Sequence, residues 1–311
     1  MRSVTMRDLA AALVAASERR ERSRVCGTPI GPALAGFSAS LAGAVDDGVL
    51  PVGMSVFLGG AGAGKTAAAS QIASTCGVPA MLISCEMRAT AILERIVARE
   101  ASVTMHALRD GTLSPREIRA HVDRVVADQP LLSIVDGGDL AIGVADIAER
   151  ANAWRAAHHA EHILVVIDSI QSWAAVSLSG IDSEYERLDG AFRALRALAN
   201  REQISLLVIS ERSLGSLTNG LPSAYGKGGT SSAYQSELSV CFAAGEYDTL
   251  RAVTPIVASI VKSRVGPQGF GFAMEFSGAY MRFADAERAA RRAPNVIPIE
   301  HGGYEDKDLF G

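Results

Sequence analysis

One octapeptide, Gly59-Gly60-Ala61-Gly62-Ala63-Gly64-Lys65-Thr66, limits the possible folds of this chain more than any other segment. It follows an apolar run, Met54–Leu58, and precedes a helix-forming stretch that begins Ala67-Ala68-Ala69. Glycines at this spacing let successive backbone N–H groups curl around phosphate oxygens, and the helix start adds a favourable dipole. Lys65 is placed to reach the β- and γ-phosphates, and the Thr66 hydroxyl to ligate magnesium. Residues Gly59, Gly60, Ala61, Gly62, Ala63, Gly64, Lys65, Thr66 and Ala67 are therefore the expected nucleotide cradle, with ATP and Mg2+ as its cofactors.

A strand, a glycine turn and a helix in that order imply a parallel sheet with crossover helices, and the rest of the chain repeats the alternation. Met54–Leu58, Ala80–Ser84, Leu131–Val135, Ile163–Ile167 and Ile204–Ile209 read as strands covered on both faces, because their apolar character is continuous. Leu188, Phe192, Leu195 and Leu198 recur at helical spacing as one core-facing stripe. After Glu237 the helical periods stop, and Leu238–Ala243, Ile256–Ser263, Ala273–Phe276 and Tyr280–Phe283 read as antiparallel strands that extend the sheet. Hydrophobic residues at 48% and charged residues at 21% suit one soluble domain with a large core. The expected organisation is an N-terminal amphipathic helix and linker over 1–30, a catalytic domain over 31–284 and a flexible tail over 285–311. Met6, Leu9, Leu13 and Ala16 carry the helical period of the first segment, which packs either on its own domain or on a neighbouring subunit.

In a parallel sheet the strand ends share one edge, so carboxylates there can converge on a nucleotide. Asp168 ends the run Ile163–Ile167 and is the expected magnesium-side acid, with Asp136, after Leu131–Val135, as its rival. Glu86, in Ile83-Ser84-Cys85-Glu86-Met87, can serve as the base that activates water, or simply begin a helix near its dipole.

A formal charge of −4 and a pI near 5.9 restrict any nucleic-acid contact to local loops. The cysteines Cys26, Cys76, Cys85 and Cys241 form no close pair, so neither a zinc ribbon nor a disulfide framework is suggested. No segment reads as a secretory leader or a bilayer span, and the cytoplasm is the expected compartment. The tail Glu305-Asp306-Lys307-Asp308-Leu309-Phe310-Gly311 has a composition able to dock on a protein partner.

From about Gly31 to Phe283 the chain resembles the RecA-like motor domain of DnaB-type replicative helicases, with RadA/Sms-type and KaiC-type ATPases as relatives. Ser84-Cys85-Glu86-Met87 matches the family's Ser-x-Glu-Met, which implies Glu86 as the catalytic carboxylate. Val166-Ile167-Asp168-Ser169-Ile170-Gln171 matches its second nucleotide motif, which carries over Asp168 as the metal-side acid. Val261-Lys262-Ser263-Arg264-Val265-Gly266-Pro267-Gln268-Gly269 resembles its Lys-x-Arg-x-Gly-Pro-x-Gly segment. The similarity thus implies a RecA-like core, an oligomer that is a hexameric ring, and Lys262 and Arg264 acting in trans on the γ-phosphate bound by the adjacent subunit.

The chain also departs from that pattern. Where relatives place Ser-Gln as a γ-phosphate sensor, it has Ser210-Glu211, and a carboxylate there repels phosphate. The segment Gly228–Glu237 resembles the family's glycine-rich loop, with the usual acidic pair reduced to Glu237. The resemblance does not extend to the accessory N-terminal domain of replicative helicases. The implied function is an ATP-driven helicase or translocase on single-stranded DNA, in replication, recombination or mobile-element maintenance. Its candidate DNA loop runs from Arg212 to Thr230, with Arg212 and Lys227 for phosphates and Tyr225 for stacking. The alternatives are a RadA-like DNA-pairing or loading accessory and a KaiC-like regulatory ATPase that binds only proteins.

Overall fold

Apolar runs without polar alternation leave no face suited to water, so they must lie inside a sheet covered by helices. The computed structural model describes Met6, Val14 and residues 27–42, 48–138, 141–211, 235–264, 266–269 and 271–286. Met6 and Val14 are helical and exposed. The rest of the expected N-terminal helix, the loop bearing Arg212, Tyr225 and Lys227, and the tail after Ala286 lie outside the described residues.

Two short strands, β1 (Gly27–Thr28) and β2 (Leu50–Pro51), pair antiparallel with each other. The main sheet is formed by β3 (Gly53–Gly59), β4 (Ala80–Ser84), β5 (Leu132–Asp136), β6 (Leu164–Asp168), β7 (Ser205–Glu211), β8 (Leu238–Ala244), β9 (Thr254–Ser263), β10 (Gly271–Ser277) and β11 (Arg282–Asp285). These nine strands lie in the order β11-β10-β9-β8-β3-β7-β6-β4-β5. β3, β4 and β6 are buried along their whole length, as their uninterrupted apolar runs require. β5, at the edge, is only half covered.

One expectation needs correction. Leu238–Ala244 is parallel to β3 and antiparallel only to β9, so the antiparallel part begins one strand later than the sequence suggests. Parallel pairing needs a crossover of a dozen residues or more, and the long connection between β7 and β8 supplies it.

Eight helices accompany the sheet: α1 (Ala35–Leu41), α2 (Lys65–Thr75), α3 (Ala89–Glu100), α4 (Met105–Arg109), α5 (Pro115–Asp128), α6 (Val144–Ala157), α7 (Ile170–Ser177) and α8 (Glu184–Glu202), counted among the described residues. One core cluster joins α1, α2 and α3 to Phe57, Leu82 and Val166. The other joins α6, α7 and α8 to Val56, Ile83 and Val165, alternate residues of the same strands. Leu188, Phe192, Leu195 and Leu198 fall in that second cluster, as their helical period predicts.

Two buried polar groups fix α2 in place. The Gln71 side chain donates to the Phe283 carbonyl at 2.9 Å and accepts from its N–H at 2.8 Å, acting as a short strand against β11. Such bonds contribute about 1 kcal/mol each. Arg99, 2% exposed, donates from α3 to Ser70 at 3.2 Å and Ser74 at 2.6 Å on α2. These ties set the loop before α2 against the loop before α3.

Candidate active site

β3 ends at Gly59 and α2 begins at Lys65, with Gly62 and Gly64 at φ 75° and 79° between them. A Cβ at Gly60 or Gly62 would meet nothing within 4 Å, so the turn opens on free space. A Cβ at Gly64 would lie 2.6 Å from the Phe283 ring. Gly64→Ala combines that collision with a left-handed backbone, and we expect it to destabilise the chain by about 3 kcal/mol, read as a lowered denaturation midpoint. A parent-like midpoint would refute the packing account.

The start of α2 has no side-chain cap, and the first N–H groups of any helix lack intrahelical acceptors. These donors face the same opening as Lys65. The Lys65 ammonium, 9% exposed, donates to the carbonyls of Gly59 at 2.9 Å and Gly60 at 2.8 Å. Burial lowers its pKa, opposed in turn by the charges of Glu211, Glu86 and Asp168.

Asp168 ends β6, fully buried, and neither carboxylate oxygen completes a hydrogen bond of normal geometry. Burial pushes its pKa up to about 6, with Glu86 adding to the rise while Thr66, Arg95 and Lys65 oppose it. An unsatisfied buried carboxylate beside a threonine hydroxyl is a fitting donor set for a hard divalent cation. No group of three or more His, Cys, Asp or Glu able to hold a metal occurs among the described residues, so a cation here would draw its other ligands from phosphate and water.

Glu86 follows β4, is exposed, and accepts a hydrogen bond from the Ser169 hydroxyl at 3.1 Å. Glu211 ends β7 in register with Gly59. Its N–H donates to Gln171 at 3.5 Å, and Gln171 donates to Ser210 at 2.9 Å. Lys65, Thr66, Glu86, Arg95 and Glu211 line one cavity of about 360 Å³. Asp136 does not join them. It accepts from the N–H groups of Ala89 at 3.0 Å and Gly138 at 3.3 Å, so it caps α3 and a turn, and these bonds hold its pKa low.

Lys262 and Arg264 lie elsewhere. Lys262 pairs with Ser239 near the start of β8, and the Arg264 N–H donates to the Glu237 carbonyl at 3.0 Å, while Glu237 itself donates to Met54 at the start of β3. The phosphate turn follows the other end of β3. Five residues separate Met54 from Gly59, which is about 17 Å along a strand. The Lys262 ammonium and the Arg264 guanidinium both donate to the Ser236 carbonyl, Arg264 at 3.1 Å, and Arg264 pairs with Glu237 at 3.4 Å. Partial burial lowers the Lys262 pKa to about 8, reinforced by Arg264 and Arg196 and opposed by Glu237.

Motif reading gives no role to three residues of this site: Ser169 and Gln171, which lie inside the second nucleotide motif, and Arg95, which lies outside every motif. Arg95 makes no hydrogen bond or ion pair with the described residues, and burial lowers its pKa while Asp168 opposes that. Its signal was present in the sequence, since Arg95 falls three residues after Ile92 and one before Ile96, on the buried stripe of α3 where a cation is unexpected.

Residues 43–285 match the family described as the DnaB-like helicase C terminal domain. A curated protein, the replicative DNA helicase DnaB of Nostoc sp. (strain PCC 7120), is 28% identical over 156 residues, which are 49% of this chain and 17% of that protein. The chain thus matches only a small part of that relative's length. Among solved structures, one ATPase domain superposes with a TM-score of 0.71 at 17% identity, covering 90% of this chain and 99% of the other. A DnaB-like replicative helicase, determined with its interactions with primase, gives 0.70 at 16% identity over 89% of this chain and 68% of the other. A KaiC-like protein from Pyrococcus horikoshii OT3 gives 0.52 at 16% identity over 77% of this chain and 92% of the other. The match over 43–285 establishes that the chain belongs to the DnaB-like helicase C-terminal domain family, and the solved structures agree with it in their RecA-like fold.

Proposed function

We propose that the chain is a magnesium-dependent ATP-hydrolysing motor that works on single-stranded DNA as a ring of its own copies, hexameric as the family resemblance implies. The observation that carries this reading is the separation of one catalytic set into two places. The phosphate turn, Asp168 and Glu86 meet at one sheet edge, whereas Lys262 and Arg264 project from the opposite edge, about 17 Å away along β3. A phosphoryl-transfer site needs cations against the γ-phosphate, and this arrangement lets a neighbouring copy supply them.

The roles follow from position. The turn amides and Lys65 hold the phosphates, while Thr66 and Asp168 would hold magnesium, which offsets phosphate charge when bound. Ser169 orients Glu86, and Glu86 accepts the proton of the attacking water. Arg264 and Lys262 of the adjacent copy stabilise charge that develops on the transferred group. The candidate DNA loop lies in sequence between Glu211, in the wall of the nucleotide cavity, and Gln235, just before the Ser236 carbonyl that holds the two cations.

Mixing tests the reading. Lys65→Ala and Arg264→Ala should each lower ATP turnover by about a thousandfold, and the two variants mixed should recover a measurable share of parent activity. Single-stranded DNA should raise parent turnover. If the mixture stays as inactive as its components while both variants still assemble, Arg264 does not act across an interface. If DNA leaves the assembled ATPase unchanged and unbound, the DNA-motor reading fails.

A further inference from the structure

Glu237 is a carboxylate set among three cations, at the end of β3 away from the phosphate turn. It pairs with the Arg264 Nε at 3.4 Å and with Arg196 of α8 at 3.9 Å. The Lys262 ammonium lies near enough to feel all three groups. Burial is the main cause of its lowered pKa, Arg264 and Arg196 add to the fall, and Glu237 opposes it. Three like charges at this spacing repel one another unless an opposite charge lies among them.

The backbone fixes where this carboxylate sits. The Glu237 N–H donates to the Met54 carbonyl at 2.7 Å, and the Glu237 carbonyl accepts from the Arg264 N–H at 3.0 Å, so the residue is tied between β3 and the end of β9. Gly53 leaves room for the side chain, since a Cβ there would lie 2.8 Å from the Glu237 Cγ, and its φ of 114° suits glycine. Arg196 also donates to Gln235 at 3.2 Å, and Lys262 to the Ser236 hydroxyl at 3.4 Å as well as to the Ser236 carbonyl. Residues 235–237 thus gather the three cations, and Glu237 brings them negative charge.

We propose that Glu237 is a positioning residue for ATP turnover, which keeps Lys262 and Arg264 side by side so that both reach the phosphate site of the adjacent copy. The proposal rests on the reading that these two cations act across an interface. Glu237 touches no nucleotide in this scheme and works only through them. Glu237→Gln keeps the size of the side chain and removes its charge, so Arg264 loses this ion pair and the cations repel one another. A transition-state contact displaced by about an ångström costs about a hundredfold in rate. The phosphate turn of the same copy lies at the other end of β3, so its hold on ATP is unaffected.

The test measures ATP turnover by full-length Glu237→Gln, alone and in mixtures that light scattering shows to be assembled. Its kcat should fall by about tenfold to a hundredfold, with KM for ATP within about threefold of the parent and a melting temperature close to the parent's. Mixed with Lys65→Ala, which brings intact Glu237, Lys262 and Arg264, the variant should gain turnover. Mixed with Arg264→Ala it should gain none, because neither chain presents a competent pair of cations. A parent-like kcat, or a loss that Lys65→Ala does not relieve, would overturn the role of Glu237. So would an equal loss of ATP affinity and melting temperature, which marks a damaged fold. If Lys65→Ala and Arg264→Ala also fail to complement each other, the reading across an interface falls and this role falls with it.

Discussion

Asp168→Asn should raise the melting temperature of the nucleotide-free chain and abolish its magnesium-dependent turnover. Both effects come from one carboxylate with no solvent exposure and no hydrogen bond of normal geometry on either oxygen. Its pKa in the folded chain is about 6, against an ordinary value of 3.8. Because the folded pKa is the higher, the native chain binds more protons than the unfolded one between those values, and stability falls as pH rises through that window. At neutral pH the buried charge costs about 3 kcal/mol. An amide carries no charge at any of these pH values, so the variant should melt roughly 5 °C above the parent at pH 7. The gap should narrow to about half as the parent is acidified to pH 5. Thermal unfolding of both proteins from pH 5 to 8, without nucleotide, measures this directly. A variant that melts lower at pH 7 would show that the carboxylate is satisfied after all. The same change removes a ligand for magnesium, so turnover should fall by more than about a hundredfold, and the protection that magnesium and ATP give against melting should shrink with it.

Glu86→Gln should separate chemistry from binding. Glu86 is exposed and held by one hydrogen bond, from Ser169 at 3.1 Å, so its amide analogue should leave the melting temperature close to that of the parent. An amide cannot accept a proton from water, and loss of a general base lowers turnover by about a hundredfold to ten thousandfold. ATP affinity should stay near the parent value, because the phosphate contacts belong to Lys65 and the turn amides. Single-turnover hydrolysis and equilibrium binding on the same preparation check both halves. Turnover within about tenfold of the parent would remove Glu86 from the role of base and leave it as an acid at the start of a helix.

The two carboxylates differ in what the sequence reveals of them. Both end or follow apolar runs, and both match family motifs, so their identity as candidates was legible. Asp136 shares the first property but not the second, and its oxygens are taken by Ala89 and Gly138. The difference lies in strand order: β6 sits inside the sheet beside β7, whereas β5 is the edge strand. Arg95 shows the same limit from the other side. It has no motif of its own; its place on the buried stripe of α3 marks it as unusual, and the packing of α3 on α2, through Arg99, Ser70 and Ser74, brings it into the wall of the nucleotide cavity.

Local chemistry was readable from the residues alone. Glycines at 59, 60, 62 and 64 with a lysine and a threonine permit few backbone paths, and continuous apolar runs permit few environments. Each of these depends on neighbours within a few residues along the chain. The parallel pairing of Leu238–Ala244 with β3, the 17 Å or so that part Lys262 and Arg264 from their own phosphate turn, and the approach of Glu211 to Lys65 depend instead on strand order and register. Order and register arise from long-range pairing across crossovers, in which many strand partners satisfy the same apolar pattern, so only the assembled sheet selects among them.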